Sequence, residues 1–157
     1  MSDRKIEFGT ASQSITCTIN SLANGSARES TAIDNTTNKY LDAMVYLAFA
    51  MANTSPGSDK RINIWFYCSE DGTNYSDNAT GSDAALTMRT LPNLFGPFII
   101  NTPTQNITYK HVIPSVAEYF GGILPPKWGI VVENKTGMAV NSSGNTSEYR
   151  GIYETIA

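Results

Sequence analysis

The stretch RINIWFYCS, residues 61–69, decides the fold class of this 157-residue chain, because its side chains alternate in character from one position to the next. One set of alternate positions is apolar: Ile62, Ile64, Phe66 and Cys68. The other set carries an amide and two large aromatic side chains: Asn63, Trp65 and Tyr67. Successive side chains of a β-strand point to opposite faces of its sheet, so this spacing predicts a strand whose apolar set faces the core.

The preceding apolar segment, LDAMVYLAFAMA at residues 41–52, fits two periods. With a period of two, Leu41 shares a face with Leu47; with a helical period of 3.6, it shares a face with Met44. Alanine and methionine favour helix by intrinsic propensity. We nevertheless predict a strand, because the next segment can pair with it after the compact loop of residues 53–60. Both faces of this strand would be apolar, so it should be central in its sheet or covered on its second side.

Further short apolar runs alternate with turn-rich stretches, which is typical of a β-sandwich or barrel. We predict additional strands at residues 14–19, 85–90, 95–101, 107–113, 128–134, 138–141 and 149–156, with residues 30–34 as one possible edge strand, which gives about eight or nine strands in an all-β domain. Residues 115–120, SVAEYF, are predicted to form one helical turn that Gly121 and Gly122 stop. The polar residues 1–12 are predicted to form an N-terminal arm outside a β-sandwich domain of residues 13–157.

The composition is that of a globular chain with few charges, since 41% of its residues are hydrophobic and only 16% are charged. Asn, Thr and Ser supply the polar surface, which suits β-structure and close-packed assemblies. The net charge of −3 and the short basic pair Lys60-Arg61 argue against a nucleic-acid partner. The charged start Met1–Lys5 is followed by no apolar signal region, and no apolar run reaches the ~20 residues of a membrane helix. We therefore expect neither secretion nor a membrane partner.

The segment YCSEDGTNYSD, residues 67–77, allows two interpretations. Asp71 followed by Gly72 between two β-runs is typical of a hairpin turn, because glycine adopts a positive φ at no cost. Tyr75 could then fold back onto the strand pair. A calcium loop needs acids at alternate positions, whereas Glu70 and Asp71 are adjacent and point apart in an extended chain. We predict a structural turn. The alternative is a weak Ca²⁺ site built from three carboxylates: Asp71, Asp77 and Asp83.

The residues that usually carry catalysis are sparse and scattered. His111 is the single histidine, and we expect it to be a surface or hydrogen-bonded side chain. The chain contains no nucleophile-elbow, zinc-protease or phosphate-loop motif. Cys17 and Cys68 are expected to be buried reduced thiols, although the sequence leaves a disulfide open. We therefore predict a protein that is not an enzyme, with no catalytic, cofactor-binding or metal-binding residues and no cofactor.

The large aromatic residues suggest a different kind of site. Five of them could line a carbohydrate-binding face: Trp65, Tyr67, Tyr75, Tyr119 and Trp128. In a β-sandwich most large aromatic side chains lie in the core or at an interface, because they bury the largest apolar areas. A carbohydrate- or receptor-binding module is therefore the alternative, and a structural role for these side chains is the main expectation.

Three stretches resemble the sequences of small virion structural proteins encoded by tailed bacteriophages. They are FGGILPPKWGIVVENKTG from residue 120, TINSLANGSARESTAIDNTTNKYLDAMV from residue 18, and YCSEDGTNYSDNATGSDAAL from residue 67. The resemblance covers about residues 15–153. It implies a single jelly-roll-like antiparallel β-sandwich built into the particle, most often a capsid decoration protein and sometimes a tail or neck component. The motifs are structural, so no functional residue is carried over from the family.

The resemblance also implies where the protein acts and with what. The expected location is the virion, after synthesis in the cytoplasm of a bacterial host. The expected partners are the major capsid protein or other virion proteins, together with further copies of the chain in a homo-oligomer. The arm of residues 1–12 is the candidate contact with a neighbouring subunit, and its small apolar area predicts that it becomes ordered only on docking.

Overall fold

Two antiparallel β-sheets form the protein, and a computed structural model describes residues 3–156 of the chain. The strands are β1 (Arg4–Phe8), β2 (Gln13–Ser14), β3 (Ala27–Glu29), β4 (Ile33–Asp34), β5 (Asp42–Ala50), β6 (Arg61–Ser69), β7 (Ala84–Leu86), β8 (Phe95–Asn101), β9 (Thr108–Ile113), β10 (Lys127–Lys135) and β11 (Thr146–Ile156). One 3₁₀ helix, Ala117–Phe120, follows β9. Its last residue is followed by Gly121 at a φ of 84°, so the predicted helical turn and its glycine stop are confirmed.

From β8 to β11, the strand order places consecutive strands in different sheets. Sheet A has the order β1-β11-β5-β9, with β2 also pairing with β11. Sheet B has the order β7-β3-β10-β6-β8, with β4 also pairing with β10. The predicted all-β sandwich is confirmed. The described chain has eleven strands where eight or nine were expected, because β1 and β3 were not predicted from the sequence. The jelly-roll designation stays a prediction, which the alternation of β8, β9, β10 and β11 between the two sheets favours.

Strand β6 has the bounds that the alternation of its side chains predicts. Ile62, Ile64 and Phe66 are fully buried between the sheets, and Cys68 is half-buried against the same core. Its second row is also covered: Tyr67 is fully buried in a smaller cluster on the outer side of sheet B. This strand is covered on both sides because it lies centrally, between β10 and β8.

Strand β5 confirms the choice of strand over helix for residues 41–52, but the pairing argument behind that choice was wrong. It pairs with β11 and β9 in sheet A, whereas β6 lies in sheet B. Its inward row, which includes Val45, Leu47 and Phe49, faces the inward row of β6 across the core. Each strand therefore covers the other's apolar face from the opposite sheet, and residues 51–60 carry the chain across.

The strand predicted at residues 138–141 is absent, and the one predicted at residues 14–19 is shortened to β2. At residues 138–141 only one bridge forms, between Val140 and Met51. The amide of Asn134 donates to the carbonyl oxygen of Met138 at 2.8 Å, and this takes the place of strand pairing. The predicted strand at residues 14–19 ends at Ser14, although its apolar side chains beyond that point still reach the core.

Residues 4–8 of the predicted arm form β1, which pairs with Ile152–Ile156 of β11. All five side chains of β1 are exposed, yet its backbone belongs to sheet A. The expectation that the arm is ordered only on docking is therefore wrong for these residues. Strand β11 is long enough to pair with both strands along one edge: β2 pairs with Glu148 and Tyr149, and β1 pairs farther along the same edge. Met1 and Ser2 of the predicted arm lie outside the described residues, and the boundary at residue 13 stays a prediction.

Candidate functional site

The segment that suggested either a turn or a calcium loop is a turn held by one aspartate. The Asp71 Oδ1 atom accepts hydrogen bonds from the backbone N–H groups of Thr73 and Asn74, both at 2.8 Å. These hydrogen bonds, the one from Asn74 first, hold the pKa of Asp71 well below its usual range. The predicted hairpin is wrong, because β6 pairs with β8 and β10 and residues 70–83 form a long loop to β7. Tyr75 does fold back, with its ring 5.7 Å from that of Tyr67.

The three carboxylates of the alternative calcium site bind three different sets of partners. Asp71 binds its own loop, and Asp77 lies 2.7 Å from the Nε atom of Arg89. Asp83 accepts hydrogen bonds from Arg28 and from the backbone N–H of Thr18. Within residues 3–156 no three acidic, histidine or cysteine side chains are grouped in a way that could hold a metal ion. The structure therefore does not assemble the calcium site.

The histidine and the two cysteines lie apart and serve packing. His111 is half-buried with its ring 4.7 Å from that of Phe98. Cys17 and Cys68 are free thiols and are half-buried, somewhat less covered than expected. Burial, followed by the nearby carboxylate of Asp83, raises the pKa of Cys17 to about 12. A thiol with so high a pKa is a poor nucleophile at neutral pH.

The five aromatic residues considered for a sugar-binding face are divided between the two sides of sheet B. Trp128 is buried in the main core with its ring 5.6 Å from that of Tyr149, and Tyr119 packs on Phe66 in the same core. The other three lie on the outer side of the sheet: Trp65, Tyr67 and Tyr75. The sugar-binding face as predicted from the sequence is therefore not formed.

The outer face of sheet A carries several exposed apolar side chains. Alternate side chains of β5 and β11 point into the core, so the side chains between them in sequence point outward. The face consists of the outward side chains of four strands: Arg4, Ile6 and Phe8 of β1; Glu148, Arg150, Ile152, Glu154 and Ile156 of β11; Met44 and Tyr46 of β5; and Lys110 and Val112 of β9. Four of its apolar side chains keep about half or more of their area in solvent: Ile6 63%, Phe8 53%, Val112 46% and Ile156 74%.

Apolar and charged side chains are interleaved across the outer face of sheet A. Phe8 lies directly opposite Ile152, so two apolar residues of neighbouring strands form a ridge. Arg4 pairs with Glu154 at 3.3 Å beside that ridge. Farther along, Tyr46 contributes to a shallow groove of about 160 Å³. A sheet face that carries exposed apolar side chains and paired charges is suited to contact another protein surface.

Strand β1 adds a free backbone edge to this face. It is the last strand of sheet A, so only one of its two edges is paired, with β11. An exposed strand edge can accept a strand from another chain. Neither the face nor the edge was predicted from the sequence. The signal was present in the alternation of Ile6 and Phe8 with Lys5 and Glu7, but the polar character of residues 1–12 concealed it.

No protein-family model matches the sequence, and no curated protein matches it. Among the described residues, no helix has the length and apolar character needed to cross a membrane.

Proposed function

We propose that this protein is a non-enzymatic structural component of a tailed-bacteriophage virion, namely a capsid decoration protein that binds the assembled head shell. The observation that carries the proposal is the outer face of sheet A, where the exposed side chains of Ile6, Phe8 and Ile156 lie near one another at the β1 edge and that of Val112 lies at the β9 edge. Contiguous exposed apolar side chains on a folded domain mark a surface that another protein covers. The resemblance to small phage virion proteins supplies the class of partner.

The geometry of this face suits a repeated shell contact. A flat sheet face with few deep features provides modest affinity for each copy, and repetition over a symmetric shell multiplies it. The free edge of β1 offers a second contact, through which copies of the chain could associate. The proposed partners are therefore the major capsid protein on the face and a second copy of this chain on the edge.

The test is the composition of purified particles of the virus that encodes the chain. We expect the protein to remain on washed heads in a fixed ratio to the major capsid protein. Heads stripped of it should bind the purified protein again. A copy number far below that of the major capsid protein would assign the chain to the neck or tail, which is the alternative location. Its absence from washed particles would contradict the proposal.

A further inference from the structure

A second surface, on the outer side of sheet B, has the features of a small-molecule site. It is a cavity of about 630 Å³ beside β6, β8 and β10, within the range of roughly 300–1,000 Å³ typical of ligand pockets. We call it the sheet B pocket. Six of the lining side chains carry charged, amide or indole groups: Arg61, Asn63, Trp65, Arg89, Glu133 and Lys135. It lies on the opposite side of the sandwich from the outer face of sheet A.

The first unusual feature is a pair of cations placed face to face. Arg61 of β6 is directly opposite Lys135 of β10 in the sheet register. Like charges at directly opposite positions destabilise a sheet. Lys135 lies 3.4 Å from a carboxylate oxygen of Glu133, whereas Arg61 forms no ion pair within residues 3–156. The Arg61 Nε atom is buried without an acceptor. An anionic group in the pocket would supply the acceptor that the guanidinium lacks.

The second feature is a buried acceptor that lacks a donor. Asn63 is 5% exposed, and its Nδ2 group donates to the Glu133 Oε2 atom at 2.8 Å. That hydrogen bond fixes the side-chain amide, and its Oδ1 atom is left buried without a partner. A carboxylate has no hydrogen to give to this oxygen. A hydroxyl group does, so the ligand should carry both an anionic group and hydroxyl groups.

The third feature is an aromatic side chain held in a fixed orientation. Trp65 lines the pocket half-buried, and its Nε1–H group donates to the same Glu133 oxygen at 3.1 Å. Glu133 thus anchors both Trp65 and Asn63, and its buried carboxylate is satisfied by them. The anchored indole presents an apolar surface against which the C–H groups of a saturated ring can pack. Arg89 is paired with Asp77 and Lys135 with Glu133, so Arg61 is the pocket cation that has no carboxylate partner within residues 3–156, and Lys135 lies opposite it.

From these three features we propose that the sheet B pocket binds an acidic saccharide, that is, a sugar ring carrying a carboxylate. The carboxylate pairs with Arg61 and Lys135. A ring hydroxyl donates to the Oδ1 atom of Asn63. The apolar face of the ring packs on Trp65. This site is independent of shell docking, because none of its residues belongs to the outer face of sheet A.

The test uses the full-length protein and three probes: methyl β-glucuronide, its neutral counterpart methyl β-glucoside, and acetate. Binding is followed by the indole N–H signals in ¹H–¹⁵N NMR spectra. The chain has two tryptophans, so Trp65 reports the pocket while Trp128, 1% exposed in the core, reports the integrity of the fold. We expect saturable shifts of the Trp65 signal with glucuronide. Glucoside and acetate should each bind about tenfold more weakly, as expected for loss of one charge-assisted contact or of the ring contacts.

The matched variants are Arg61→Gln in the pocket and Lys110→Gln on the opposite sheet, each of which removes one positive charge. Arg61→Gln should weaken glucuronide binding about tenfold, and Lys110→Gln should leave it unchanged. Equal affinity for glucuronide and glucoside, or for glucuronide and acetate, would overturn the proposal, as would the absence of any shift at millimolar glucuronide. If Arg61→Gln disturbs the Trp128 signal, the comparison of the three probes on the unmodified protein decides alone.

Discussion

Phe66 lies at the centre of the main core, and its packing explains why a single side chain can control the stability of the sandwich. It is fully buried, with the Tyr119 ring 4.5 Å away and the Phe120 ring 6.3 Å away. We expect Phe66→Ala to lower the free energy of unfolding by about 3–5 kcal/mol, because it removes buried area and leaves a cavity. Urea unfolding measures this. Leu91→Ala, at a position 86% exposed, is the control and should change stability by less than about 0.5 kcal/mol. A loss below about 1 kcal/mol for Phe66→Ala would contradict the assignment of its face.

The Cys17 thiol gives a prediction about pH. Its pKa in the folded protein is raised to about 12, mainly by burial, whereas the unfolded chain has the ordinary thiol pKa of about 8.5. The folded state therefore keeps its proton while the unfolded state loses it. The contribution to stability is fully present below the unfolded pKa and is lost as the pH rises toward the folded pKa. Between pH 8 and 10.5, denaturant unfolding should show a steeper loss for the wild type than for Cys17→Ala. Parallel pH profiles would contradict it.

A buried residue can hold a distant loop in place although no sequence pattern identifies the contact. Glu29 is 1% exposed, and it accepts hydrogen bonds from the hydroxyl and the N–H of Thr80 and from the N–H of Gly81. These hydrogen bonds hold in place a loop that begins 51 positions after Glu29 in sequence. Sequence periodicity describes neighbours along a strand, so it carries no information about such a contact. The sheet B pocket escaped sequence reasoning for the same reason, since Arg61 and Lys135 meet only across a ladder.

At the level of strands, the contact between β6 and β10 depends on a glycine. Gly129 lies directly opposite Tyr67, and a Cβ atom at this position would overlap the tyrosine ring. The ring cannot easily move, because the Tyr67 hydroxyl donates to the carbonyl oxygen of Ser30 at 2.6 Å. We therefore expect Gly129→Ala to destabilise the protein by about 1–3 kcal/mol in thermal or urea unfolding. At Gly9 an added Cβ would meet only ordinary contacts, so Gly9→Ala serves as the control. Equal stability of the two variants would argue against the tight contact.

Strands were predictable where their side chains alternate, but their partners were not. The bounds of β6 and β8 agree with the sequence, because a covered strand must show apolar residues at every second position. The same signal cannot tell which sheet a strand joins, which explains why β5 was assigned the wrong neighbour. Residues 138–141 show the converse case, in which the amide of Asn134 replaces a ladder. The sequence suggested the arm, of which the fold uses β1, and it suggested Trp65 of the sheet B pocket as one residue of a sugar-binding face.

Strand β1 should contribute little to the stability of the isolated domain. It has one paired edge and five exposed side chains, so its removal uncovers little core. We expect deletion of residues 1–8 to lower Tm by a few degrees, at about 2–4 °C per kcal/mol for a chain of this size. Differential scanning calorimetry measures this, and deletion of residues 1–3 is the control that keeps β1. Loss of the cooperative transition would show that β1 is required for the fold itself.

The whole molecule presents two different surfaces on opposite sides of one core. The outer face of sheet A is flat and partly apolar, whereas the sheet B pocket is concave and carries the cations Arg61 and Lys135. If the outer face of sheet A binds a shell, the pocket points away from it. The two proposals therefore make separable claims, since docking should depend on the outer face of sheet A and saccharide binding on sheet B. A variant of one surface should leave the other function intact.

The last prediction concerns that separation. Phe8 and Val112 lie on opposite edge strands of sheet A and are 53% and 46% exposed, so each can be changed to Asp without burying a charge in the free protein. On docking, each carboxylate would have to leave water without a partner, which is costly. We expect the double variant Phe8→Asp/Val112→Asp to keep its thermal transition and its glucuronide-induced shifts but to fail to sediment with stripped heads. Leu91→Asp, outside the outer face of sheet A and 86% exposed, should sediment like the wild type. Undiminished docking of the double variant would place the contact elsewhere, and the segments of residues 20–38 and 53–60, which carry exposed polar residues, would be the next candidates.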